Sequence, residues 1–149
     1  MIERELEAKI VAEIADVITE RPVIGVWEAA LTGKVKTRPR SCIEVSVKPR
    51  SCDGWGSDAR TFQVTVSIEA AQEDDATMGT GPADYAAIVE DIFENWQSAD
   101  DSQTAEALSV DGFEAQGFNF SDGGDCGLDQ QAATWFALIQ CEVKGIKSK

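Results

Sequence analysis

The chain has 149 residues, with 13 Lys and Arg against 27 Asp and Glu, for a formal net charge of −14. It contains no histidine, which removes Ser-His-Asp and Cys-His catalysis and the commonest metal ligand. No phosphate-cradling glycine loop, dinucleotide fingerprint or nucleophile elbow occurs either.

The elements are expected in the following order. Residues 2–20 predict a helix, because Ile2, Leu6, Ile10, Ile14 and Val17/Ile18 recur at three- and four-residue spacing. Glu3, Glu5 and Glu7 suit its dipole, and Arg21-Pro22 ends it. PVIGVWEAAL, 22–31, reads ambiguously, as a short strand running into a hairpin, with Trp27 in the core.

GKVKTRPRS, 33–41, puts a cation at every second position: Lys34, Lys36, Arg38 and Arg40. In an extended segment that spacing places all four on one face. Pro39 cannot donate to a sheet ladder, so the segment is expected as an edge strand or a protruding arm. Charged edges also block unwanted strand pairing, so the same residues have a purely structural use.

CIEVSVK, 42–48, alternates Ile43, Val45 and Val47 with Glu44, Ser46 and Lys48, and TFQVTVSIEA, 61–70, alternates in the same way. The two are predicted to form an antiparallel hairpin with one buried face, closed by the loop 49–59. A polar connection, 71–84, leads into a helix over 83–97 with Tyr85, Ile88, Val89, Ile92, Phe93 and Trp96 on one stripe. Residues 98–106 read as an acidic loop, 107–122 as one or two short strands with a turn or bulge near Asp111-Gly112, and 121–131 as a loop. TWFALIQCEVKGI, 134–146, is the last strand, apolar on both faces at first, which predicts a central place under a helix.

The expected fold is therefore one α+β domain spanning 1–149. It has two layers: a mixed or antiparallel sheet of about four to five strands, with two helices packed on one face and a protruding basic β-hairpin arm. The arm and hairpin cover 33–68 and the closing strands 107–146.

Charge is segregated along the chain. Seven of the cations lie between 34 and 60, whereas 61–143 holds 17 acids and no cation. One reading is a solvated surface kept soluble by negative charge. The sharper reading is self-complementarity, a basic patch on one copy meeting an acidic patch on the next. Such head-to-tail contacts make rings when the rotation closes. Duplex DNA is a poor direct ligand, because its affinity rests on many Lys and Arg contacts. An acidic wall would instead let DNA slide past.

The cysteines, at 42, 52, 126 and 141, form no C-x-x-C pair and are expected as free thiols. A Cys42–Cys52 bridge across a hairpin is the alternative. Asp122, Asp125 and Asp129 lack the spacing of a calcium loop and read as an acidic turn. No metal or cofactor is expected. The amphipathic N-terminus is not a signal peptide, and no apolar run approaches the roughly 18 residues of a membrane span, so a soluble protein made in the cytoplasm is expected.

Taken in order, the helix IERELEAKIVAEIADVI, the basic segment KVKTRPRSCIEVSVKPR, the strand RTFQVTVSIEA, the helix PADYAAIVEDIFENW and the strand WFALIQCEVKGI resemble bacteriophage tail terminator proteins. These are also called tail-to-head joining proteins, or minor tail proteins of the lambda U type. The resemblance spans most of the chain and implies a non-enzymatic virion protein. Members form a ring, expected as a hexamer, that caps the tail tube, meets head-completion proteins and passes DNA through its lumen. Lys34, Lys36, Arg38 and Arg40, and less strongly Lys48 and Arg50, are then the expected subunit or tube contacts. The acidic region 98–131 has no counterpart in that pattern. Two other classes fit the composition: an acidic inhibitor, either an immunity protein or a DNA mimic, binding a basic partner, and a hydrolase working through carboxylates alone.

Overall fold

A computed structural model describes residues 1–33, 41–52, 58–71, 82–120, 126–129, 131 and 134–147. Helix α1 (Ile2–Val17) leads into strand β1 (Val23–Gly25), helix α2 (Val26–Thr32), and strands β2 (Cys42–Cys52) and β3 (Ala59–Ala71). Helices α3 (Pro82–Ser98) and α4 (Asp101–Leu108) follow, then strands β4 (Phe113–Phe120), β5 (Cys126–Asp129) and β6 (Thr134–Lys147). The fold is α+β, with a mixed sheet ordered β1-β2-β3-β6-β4 and the short β5 also on β6.

The register follows from the alternation in the strands. Ile43, Val45 and Val47 of β2 face Ile68, Val66 and Val64 of β3. These in turn face Ala137, Ile139 and Cys141 of β6. All nine belong to one buried cluster with Leu6, Ile10 and Ile14 of α1 and with Tyr85, Val89 and Phe93 of α3. The helical stripes are therefore buried on that face of the sheet, the inner face, by the hydrophobic effect. The in-between positions Gln63, Thr65 and Ser67 lie on the other, outer face and are half-buried. β6 pairs along its whole length with β3, so β4 and β5 share its remaining side. Its predicted central position is thus observed.

An aromatic group closes the α3 end of the core. The Phe93 ring lies 5.5 Å from Phe118, 5.7 Å from Trp96 and 5.9 Å from Phe120. At the start of β4, Asp111 and Gly112 make a two-residue turn closed by mutual backbone hydrogen bonds of Val110 and Phe113, each 3.0 Å. Gly112 has φ 85°, which only glycine adopts readily.

Several expectations need correction. α1 ends at Val17, before the predicted stop at Arg21-Pro22, because the backbone of Ile18 is already extended. Ile18 still reaches the core, and Val17 is exposed. The ambiguous 22–31 stretch divides into β1, parallel to β2, and α2. Trp27 is only half-buried and not a core residue. The expected loop at 98–106 is largely helix α4, held by a capping box: Asp100 Oδ1 accepts from Gln103 N at 2.8 Å and Gln103 Oε1 accepts from Asp100 N at 3.2 Å. The expected loop at 121–131 contains β5. Cys42 is a free buried thiol. Cys42 and Cys52 sit at opposite ends of β2, about 30 Å apart at the strand rise, so they cannot form the alternative bridge.

Candidate assembly surface

The strongest sequence candidates, Lys34, Lys36, Arg38 and Arg40, lie outside the described residues. The two weaker ones, Lys48 and Arg50, both lie on β2 and are exposed. Arg50 follows Pro49, where the β2–β3 register shifts between Pro49 and Ser51. It forms an ion pair with Glu142 of β6. Its charge is therefore partly spent within the chain, although a half-exposed pair of this kind contributes little to stability. Lys48 makes no ion pair among the described residues.

The sheet brings further cations to this end. Lys48 faces Gln63, Gln63 faces Glu142, and Lys144 is two residues further along β6. Lys144 and Lys147 are exposed, and the backbone N–H of Lys147 donates to the Asp58 carbonyl at 2.7 Å. Lys144 was not singled out from the sequence. Its outward place in the alternation of QCEVKGIK was the available signal, but its nearness to Lys48 comes only from the register of β2, β3 and β6.

The outer side of α3 is acidic. Residues 82–120 contain nine acids and no Lys or Arg. α3 buries Tyr85, Val89 and Phe93, so Asp91 and Glu94, which lie off that stripe, are exposed. Between α1 and α4 an open groove is lined by Lys9, Glu13, Gln103 and Glu106. Among the described residues no group of three or more His, Cys, Asp or Glu could hold a metal ion. Burial pushes the Cys141 thiol far above its ordinary range, so it is not a ready nucleophile. No helix is long and apolar enough to cross a membrane.

Side chains occupy individual backbone groups on both edges of the sheet. Beyond β1, which pairs only with Ile43–Val45, the Val47 carbonyl accepts from Trp27 Nε1 at 2.9 Å, and Pro49 has no N–H to offer. On the far edge, Ser109 Oγ accepts from the Ala115 N–H at 3.0 Å, and Gln97 Oε1 accepts from the Phe120 N–H at 2.6 Å. Such edges resist the addition of another strand.

Trp27 is itself held from below. Glu7 Oε1, on α1, accepts from the backbone N–H of Trp27 at 2.7 Å and of Glu28 at 3.4 Å. This carboxylate does the work of an N-cap for α2, whose own N-cap is Gly25. Gly25 is needed there, because a Cβ would overlap the Glu7 carboxylate. Arg4 in turn holds the Glu28 carboxylate at 2.7 Å.

No family model and no curated protein matches the chain. A solved structure does, described as the virion of a native gene transfer agent particle. One chain of it is 14% identical, and the match covers 91% of each chain with a TM-score of 0.54. At that identity the likeness is one of fold.

Proposed function

We propose that this protein is a structural component of a phage-like virion, a tail terminator that caps the tail tube as a ring and joins tail to head. The observation that carries the reading is the end-to-end likeness of fold to a chain of a gene transfer agent virion. The order of elements in the sequence, which resembles the tail terminator family, supports it independently. A surface divided into cationic and acidic parts suits repeated contact between identical copies. In this reading the ring is a hexamer, it meets a tail tube protein and a head-completion protein, and DNA passes its lumen without specific contact. The basic segment Lys34, Lys36, Arg38 and Arg40 reaches a neighbouring copy or the tube.

The nine acids without a cation over 82–120 favour one alternative, an acidic inhibitor of a basic protein. Light scattering over a concentration series, paired with negative-stain microscopy, separates the two. Annular particles near six times the 16.1 kDa chain mass are expected. A protein that remains a monomer both alone and on purified tail tubes, yet binds a basic nuclease or repressor in equal ratio, would reverse the assignment.

A further inference from the structure

One corner of the outer sheet face carries exposed cations, and the outer side of α3 carries acids. Lys48 and Lys144 stand at one corner of the outer sheet face, flanking the Arg50–Glu142 pair. Two strand spacings and two residues of rise put them about 12 Å apart. Neither makes an ion pair among the described residues. On the other side, Asp91 and Glu94 of α3 are exposed three residues apart, and no cation lies between 82 and 120 to neutralise them. Ala87, also exposed, sits one turn before Asp91 and adds no bulk in front of it.

We infer that the corner of the sheet around Lys48 and Lys144 docks on the outer side of α3, at Asp91 and Glu94, of a second copy of this chain. The inference rests on the assembly reading above and specifies its contact. Charge complementarity selects the occupant. Trp27 and Pro49 on one edge and Ser109 and Gln97 on the other occupy positions that an added strand would use, which favours a contact through faces. A sheet corner meeting a helix is a heterologous contact, so each copy keeps one surface of each kind free for the next neighbour. Repetition makes a ring when the rotation closes.

The test is a reciprocal charge exchange. One variant carries Lys48→Glu and Lys144→Glu, the other Asp91→Lys and Glu94→Lys. Alone, each sets like charges against each other at every contact, and self-association is expected to weaken at least tenfold. Mixed in equal amounts, every alternating contact is complementary, and light scattering should recover the wild-type mass. Recovery on mixing also shows that both variants are folded. If either variant assembles like the wild type, or if assembly is lost and mixing restores nothing while circular dichroism shows native structure, the contact lies elsewhere and the inference falls, with the ring reading intact. If the wild type itself never associates, alone or on tail tubes, both fall together.

Discussion

Glu7 is almost completely buried, with one oxygen bonded to α2 and Oε2 without a partner among the described residues. Burial raises its pKa above the ordinary carboxylate value of 4.5, against the lowering effect of the Trp27 and Glu28 N–H groups and with the Glu28 carboxylate adding to the rise. The folded state therefore holds this proton more tightly than the unfolded chain. Its contribution to stability is fully present below pH 4.5 and is lost as pH rises through the elevated folded value. Glu7→Gln keeps an acceptor for α2 and removes the buried charge. That variant should be at least as stable as the wild type at neutral pH in urea titrations, and should lack this pH-dependent component. Glu7→Ala should instead lose about 1–3 kcal/mol, the penalty for leaving buried donors unsatisfied.

Among the elements, α3 packs on the sheet through Tyr85, Val89 and Phe93, with the Phe93 ring against Phe118 and Phe120 of β4. Phe93→Ala should cost about 3–5 kcal/mol and reduce the near-ultraviolet dichroism of Trp96, as measured by thermal melts and spectra. α1, α3, β2, β3 and β6 were legible in the sequence because each buries a single face and repeats at its own period. α4 was not. Among its described side chains the buried ones are Thr104 and Leu108, one turn apart, too few to form a periodic pattern beside its acids. The spacing of Asp100 and Gln103 was the one readable sign of its start. β5 was hidden in a glycine- and aspartate-rich stretch, and its pairing depends wholly on β6. The candidate surface was half legible. Lys48 and Arg50 stood out as cations on a hairpin, but Glu142 and Lys144 reach them only through sheet register between segments far apart in the chain.

For the whole molecule, a charge of −14 makes copies repel at long range, while the proposed contact sets Lys48 and Lys144 against acids at short range. Salt screens these two effects at different distances, since the Debye length falls from about 30 Å at 0.01 M to about 3 Å at 1 M. Self-association should therefore strengthen from about 0.01 M to about 0.15 M salt and weaken again near 1 M. Sedimentation velocity at fixed protein concentration would reveal that maximum. A monotonic fall with salt would mean that long-range repulsion is already negligible.

The Trp27 indole on the Val47 carbonyl also bears on solubility. At high concentration an open strand edge nucleates fibrils. Occupying that carbonyl from α2 withdraws one acceptor from an incoming strand at this part of the edge. In the proposed assembly, contacts through side chains instead of shared strands would let a misplaced copy leave and try again. Faithful assembly in a crowded cell needs that capacity for error correction as much as it needs affinity.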